Sequence, residues 1–469
     1  LDKVLLYLNP SLEVTSLFIN GTTSLYEREK QVIGVPARLS PGDSLLLELS
    51  YKGQIDERIC YLNVPDAEIA DTRERMYLAC RLGKRYSYLR KDFTLLIPEV
   101  LWYPTTVPPE NPNSPYDNSR NFTRYSLRVR GHGKNKVISQ GMRKRNGDQV
   151  IFRNEHLLHG ITLNIGDYIT RQLTVDSVTY ELHMWRKHAA LLKILNDRLE
   201  PSPDQKVSST ELIIRHVRHI AEISTGRKYP YKRFQLVETP LDFTSYFRDE
   251  MKSSGFVQPE VLYFPERGFR MKVFFSEVEL AVNSLLFQED KFRNTFSWDG
   301  ILRWNVLLKR FHLEDGVFDK NPYLIRTQFY NQISDIICQT YPFFNSLVNL
   351  IIEDNNQTRI QPRPSLTPIL EQQAIDYLRS HSLKDALYDH SLNMAVLGAI
   401  FVLKERELVD IFQTKGVDQD SLVSFLMNFL DRHRFNVTDF EQLNEEFKSV
   451  FHVDWNTVLP SWYARSRIP

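Results

Sequence analysis

Apolar residues alternate with polar ones at Leu45, Leu47, Leu49 and Tyr51, which predicts a strand with one buried face. Ser40-Pro41-Gly42-Asp43 just before it is a turn cluster, and Asn20-Gly21 is a hairpin signal. Ile161, Leu163 and Ile165 alternate in the same way, so residues 1 to about 180 read as β-rich. The stretch 102–119, dense in Pro and Asn, continues neither ladder nor helix and is expected to be a long ordered loop. From about 180 the pattern mixes helical periodicity (ALLKILNDRLE, ELIIRHVRHIAEIS) with short strands (KRFQLVETP, PEVLYFPE). After about 365 the chain reads as helical. Ser382 precedes a helix expected to run to Gly416, a C′ glycine. Leu422, Phe425, Leu426, Phe429 and Leu430 share a face. Thr438 with Glu441 has capping-box spacing, followed by a stripe of Phe440, Leu443, Phe447 and Val450.

Lys+Arg 59 against Asp+Glu 58 gives a net charge of +1, which argues against any broad footprint for nucleic acid or anionic lipid. The basic run Arg143-Lys144-Arg145 lies beside Asn146-Gly147 and reads as a solvated hairpin tip. Cys60, Cys80 and Cys338 form no CxxC pattern, so neither a disulfide set nor a zinc knuckle is expected, although one Cys60–Cys80 bridge stays open. No apolar run is long enough to span a bilayer; Met394 to Leu403 reads as a buried helix. The chain opens on Leu1 in mid-strand, without Met or signal peptide, so a fragment or processed product is expected.

The order of these elements resembles the aminopeptidase N family of zinc peptidases. LNPSLEVTSLFING followed by LSPGDSLLLELSYKG is similar to that family's opening strands. VLWYPTTVPPENP, FTRYSLRV, VISQG and HGITLNIGDY resemble later strands of its saddle-shaped first domain. RKYPYKRFQLVETP resembles the strand that enters the catalytic domain, and 425–469 the helices that close it. The resemblance implies an α+β fold. It would have an N-terminal β-sandwich (saddle) domain over 1–182, a degenerate thermolysin-like α/β domain over 183–364, and a C-terminal helical bundle over 365–469, the helical end of the catalytic-like domain. VQPEVLYFPERG and YPYKRFQLVETPLDFTSY further resemble peptidase-like domains of bacterial ABC transporter permease proteins.

The family holds zinc with His-Glu-x-x-His and a Glu eighteen residues on. Here Asn331, Gln332 and Asp335 fall in that pattern and Asp354, or Glu353, at the third ligand. The reading makes 329–354 a helix, a turn at Tyr341-Pro342, and a second helix. Ile333, Ile336 and Ile337 then form one stripe, with Asn331 and Asp335 a helical turn apart on another face. Phe344, Leu347, Val348 and Ile351 carry the second helix, and water, an amide or a basic side chain such as Arg326 or Arg363 would separate Asp335 from Asp354. An amide and carboxylates are weak, hard ligands for zinc, and Gln332 cannot act as general base. The chance reading of the spacing weighs as much as the remnant-site reading.

Two further family elements are missing. Val257 falls where the amine-binding Glu is expected, with Gln258 beside it and Glu260 displaced by three residues. Ala395 falls at the transition-state Tyr and Leu397 at the accompanying Lys. His156 with His159, and His216 with His219, are spaced for a shared face but read as surface or satisfied core histidines. No nucleotide-binding glycine motif and no Gly-x-Ser-x-Gly occurs.

Two functional classes remain. The favoured expectation is a catalytically inactive module, not an enzyme, without metal or cofactor. It would be the extramembrane, extracytoplasmic domain of a transporter-associated membrane protein, tethered by flanking segments. A peptide or protein ligand and transporter subunits would be its partners. The alternative is an active hydrolase or peptidase with an unrecognised carboxylate or metal site, in which Glu238, Asp242, Asp335, Glu353 and Asp354 form an acid cluster in the cleft.

Overall fold

The computed structural model describes residues 2–56, 88–107, 121–189, 226–240, 257–265, 333–360, 368–389 and 391–466, with scattered helical positions between 211 and 222. The first strands are β1 (Lys3–Tyr7), β2 (Leu12–Ile19), β3 (Thr22–Thr23), β4 (Glu27–Glu29), β5 (Val32–Pro36) and β6 (Leu47–Gly53). They form two three-stranded sheets, β1-β5-β4 and β3-β2-β6. Leu6, Leu8, Leu17, Ile33 and Val35 are buried between them, and Leu47, Leu49 and Tyr51 pack against that cluster as their alternation predicts. Asn20 and Gly21 both take positive φ, at 47° and 81°, and close β2 onto β3. Ser40-Pro41-Gly42-Asp43 is a turn closed by Asp43 N–H on the Ser40 carbonyl at 3.0 Å.

The rest of the β-rich part comprises β7 (Tyr88–Leu89), β8 (Thr94–Leu96), β9 (Ser126–Val129), β10 (Lys136–Ile138), β11 (Met142–Asn146), β12 (Gln149–Arg153) and β13 (Leu163–Gly166). They pair as β10-β13-β8-β7 and β11-β12-β9. Arg143-Lys144-Arg145 does lie on a hairpin, β11–β12, turning at Gly147-Asp148. In β13 the alternation misleads. Leu163 and Ile165 are half-buried against Val129, Val137, Val150 and Phe152, while the polar Asn164 is fully buried.

A five-stranded mixed sheet forms the middle of the molecule. Its members are β14 (Tyr168–Val175), β15 (Val178–Trp185), β16 (Arg233–Thr239), β17 (Val257–Gln258) and β18 (Val261–Pro265), in the order β14-β15-β16-β18-β17. β15, β16 and β18 run parallel and the outer pairs antiparallel. The expected division after residue 182 falls inside β15.

The remaining elements are β19 (Ser334–Ile337), α1 (Phe344–Ile360), α2 (Pro368–Leu378), α3 (Leu383–Tyr388), α4 (Met394–Thr414), α5 (Gln419–Arg432), β20 (Asn436–Asp439), α6 (Phe440–Phe451) and α7 (Trp455–Ala464). Aromatic rings fill their core: Trp455 stacks edge-on against Phe344 at 5.2 Å and lies 4.5 Å from Phe412 and 5.3 Å from Phe447. The helix expected from Ser382 to Gly416 is two helices, because Asp389 turns back to accept from the Ser391 N–H at 2.9 Å. The capping box sits at Ser382 instead, whose side chain takes the Asp385 N–H while the Asp385 carboxylate takes the Ser382 N–H. Ser382→Ala should lower stability by about 1 kcal/mol, read from the midpoint of urea unfolding. Thr438 does not cap α6. It belongs to β20, and Asp439 is the cap, accepting from the Glu441 N–H at 2.9 Å. Val450 is exposed, so the buried stripe of α6 ends at Phe447. No described helix is long and apolar enough to cross a membrane. Cys338 is buried and free, while Cys60 and Cys80 lie outside the described residues.

Candidate functional site

Period two divides the central sheet into two faces. Residues 179, 181, 183, 233, 235, 237, 261 and 263 share one face by register, and 180, 182, 234, 236, 238 and 262 the other. The first face meets the sandwich and is unusually polar for a buried surface. Gln235 Nε2 donates to the Ser139 carbonyl at 3.1 Å, and Asn164 Nδ2 donates to the Tyr263 hydroxyl at 3.1 Å. Gln140 Oε1 accepts the Thr162 N–H at 2.8 Å. The amide nitrogen of Gln140 is buried without a hydrogen-bond partner. Such an orphan donor is costly unless something external accepts from it.

Glu260 lies in the same layer. Pro259 and Glu260 form the two-residue turn between β17 and β18, with Glu260 at φ 62°. A non-glycine residue there carries about 1–2 kcal/mol of strain. Two bonds hold it: its carbonyl accepts the Gln235 N–H at 2.7 Å, and its carboxylate accepts the Gly141 N–H at 2.9 Å. Gly141 answers in the other direction, its carbonyl accepting from Arg233 at 2.7 Å. Burial pushes the Glu260 carboxyl up to about 7, against the opposing pull of the Gly141 N–H and the Arg233 charge.

Beside it runs a second polar chain. His183 bonds Thr170 at 2.8 Å and Glu181 at 3.1 Å, and Arg233 stands 3.6 Å from Glu181. Burial lowers the pKa of His183 and keeps it neutral. Burial works against ionisation of Glu181 too, but the His183 bond and the charges of Arg233 and Lys136 outweigh it and its pKa is lowered. Gln258 completes the layer by donating to both oxygens of Glu99, at 2.9 and 3.1 Å.

Of the sequence-derived positions, Gln258 and Glu260 fall in this layer. Asp335 is buried, but on strand β19, which pairs in parallel with β20; it is not on a helix. The helical stripe of Ile333, Ile336 and Ile337 was an accident of spacing in a β-branched strand. Of the helix–turn–helix expected over 329–354, the described part, from residue 333, is a strand, a turn and the first residues of α1. Asn331, Gln332 and Arg326 lie outside the described residues, as do Asp242, His216 and Arg363. Glu353 and Asp354 lie within α1, Val257 in β17 and Ala395 in α4, whose backbone alone is described at those positions. Leu397 is a buried core residue of α4.

Glu238, one of the five carboxylates of the expected acid cluster, is not in the layer of Glu260. It is on the opposite face of the sheet, where its carboxylate takes the Trp185 N–H at 2.8 Å and meets His188 Nδ1 at 2.7 Å. His156 stacks on Phe435 with centroids 4.2 Å apart. The residues the sequence reading missed are Gln140, Gly141, Arg233 and Glu99. The available signal was the Gln-Gly pair ending VISQG, where a glycine follows a polar residue at a strand end.

A zinc ion of the peptidase type needs three protein ligands of His, Cys or carboxylate chemistry. Among the described residues no three such side chains gather. No side-chain set among the described residues fits that metal.

No protein-family model and no curated protein sequence matches the chain. Solved structures do. Aminopeptidase A of Legionella pneumophila in complex with aspartic acid aligns over 100% of this chain and 46% of its own, at 10% identity and TM-score 0.52. Yeast LTA4 hydrolase aligns over 100% of this chain and 63% of its own, at 11% identity and TM-score 0.52. An M1 zinc metallopeptidase mutant of Deinococcus radiodurans bound to a Tyr-Ser-Ala substrate aligns over 100% and 88%, at 11% identity and TM-score 0.50. The expectation that this chain is not an enzyme is corrected by these neighbours, all three of which are enzymes. With its mixed helices and sheets, the chain has an aminopeptidase N-like, gluzincin-type fold.

Proposed function

We propose that the protein is a peptidase-type hydrolase whose acid–base group is Glu260. The observation that carries this reading is a buried carboxyl, half-protonated near neutral pH, held on strained backbone where the sandwich meets the central sheet. A group that titrates near 7 both gives and takes a proton at working pH. Perturbed carboxyls and backbone outliers concentrate at functional sites. Gln140 supplies the second element: its unpartnered amide nitrogen is a donor for a substrate carbonyl.

A panel of aminoacyl anilides and short peptides, assayed with EDTA and with added zinc, tests the reading. The wild type should hydrolyse at least one class, with a pH profile that breaks near 7. Glu260→Gln should lower kcat by about a hundredfold with the fold intact. A wild type inert to the whole panel in both media, or a Glu260→Gln variant as fast as wild type, removes the proposal.

The sequence resemblance to permease-attached domains supports a wider setting. In it the chain is the extracytoplasmic part of a transporter-associated membrane protein, with a peptide or protein ligand and transporter subunits as partners. Membrane-spanning segments encoded on either side of this stretch are the expected result of reading the full gene.

A further inference from the structure

We propose that the three-stranded sheet β11-β12-β9 docks on an anionic lipid surface, edge-first along β11. The inference is independent of the hydrolase reading.

Its basis is local charge. Residues 124–153 contain nine Lys and Arg and a single acid, Asp148, a net charge of +8 in a chain whose total is +1. The near-neutral total hides this segment. Register sets where the charges go. Phe152 and Val150 of the central strand are buried together with Val129, so the inner face of the sheet is core. The partners of Met142 and Lys144 across the sheet are Arg153 and Ile151, then Ser126 and Arg128, all on the outer face. Lys144 and Arg128 are thus two strands apart, about 10 Å, with Arg153 diagonal to both. None of these three cations makes an ion pair with any carboxylate among the described residues.

Every residue of β11 is exposed, so its cations project from both sides: Lys144 outward, Arg143 and Arg145 inward beyond the edge of the core. Arg143 lies within the field of Glu181, which leaves Arg145 the freer of the two. Charged residues on an edge strand also discourage pairing with other chains. That role accounts for β11 but not for Arg153, which is on the central strand.

The two-sided arrangement selects the partner. A rigid acidic protein laid on one face leaves the cations of the other unmet. A headgroup layer, about 5–10 Å deep, receives an edge with charge on both sides. The exposed Met142 adds an apolar side chain in the same row.

The experiment is co-sedimentation of the whole chain with vesicles of phosphatidylcholine alone or with a third phosphatidylserine. Binding should require phosphatidylserine and weaken as salt rises. Arg128→Glu/Lys144→Glu/Arg153→Glu should reduce partitioning by at least about tenfold. The control Arg38→Glu/Lys384→Glu/Lys415→Glu changes net charge equally at exposed positions elsewhere and should bind as wild type. Circular dichroism and thermal melting confirm that both triple variants fold. No preference for phosphatidylserine, equal loss in the control, or capture of polyglutamate or RNA in place of vesicles would each overturn the proposal.

Discussion

Glu260→Gln should raise the stability of the folded chain at pH 8 by about 3 kcal/mol and leave it almost unchanged at pH 4. The sign follows from the direction of the shift. The carboxyl sits at about 7 in the fold, against 4.5 for the ordinary group. Below 4.5 both folded and unfolded chains hold the proton, and there is no difference between them. Between 4.5 and 7 the unfolded chain releases it first, so unfolding is increasingly favoured as pH rises. Above 7 the folded state carries a buried carboxylate that water would solvate better. Gln is nearly the same size, is neutral at every pH, and keeps an oxygen for the Gly141 N–H. Urea unfolding of both proteins at pH 4, 6 and 8 isolates the group, because every other titration cancels in the difference. Parallel curves would show that the carboxyl is not raised. A variant that is more stable yet slower on substrate marks a group kept for chemistry at the expense of stability. A merely structural carboxyl would change stability alone.

The sequence was most legible where one local rule decided the outcome. Asn20-Gly21 closes a hairpin because two positive φ values are needed and those residues accept them. Leu47, Leu49 and Tyr51 are inward because a strand over a core permits no other register. It was misread where two elements share a pattern. Ile333, Ile336 and Ile337 satisfy a helical stripe, yet the parallel partner 436–439 lies a hundred residues away and no local signal announces it. Asn164 failed for a related reason: β13 has cores on both sides, so alternation could not say which face is deeper, and a polar residue with the Tyr263 hydroxyl as partner took the deeper one. The candidate site was legible only in part. Gln258 and Glu260 were marked by resemblance, as positions of a cleft. What gives Glu260 its chemistry is burial, tempered by the Gly141 N–H from more than a hundred residues earlier, and only folding brings the two together.

That dependence makes Gly141→Ala the more damaging of two glycine substitutions. Gly141 has φ 85°, and a Cβ built there would lie 2.5 Å from the Arg153 carbonyl oxygen, 2.7 Å from its carbon and 2.9 Å from the Asn154 nitrogen. All three atoms are backbone at the end of β12, so relief requires moving the strand. Gly147, at the tip of the same hairpin, has φ 59° and nothing within 4 Å of its Cβ position. Alanine at Gly147 should therefore cost only the left-handed backbone penalty, about 1–2 kcal/mol. Alanine at Gly141 adds the steric displacement, about 1–3 kcal/mol more. Urea midpoints of the two variants give the comparison directly. The displacement has a second readout. Both backbone groups of Gly141 are engaged, one by Glu260 and one by Arg233, and the Gly141 N–H and the Arg233 charge both stabilise the ionised carboxylate. Moving Gly141 weakens that support, so the Glu260 carboxyl should titrate higher and the break in the pH–rate profile should move above 7. Gly147→Ala should leave the break in place. If the two variants lose the same stability and share one pH profile, the close approach of residues 141 and 153 does not govern the carboxyl.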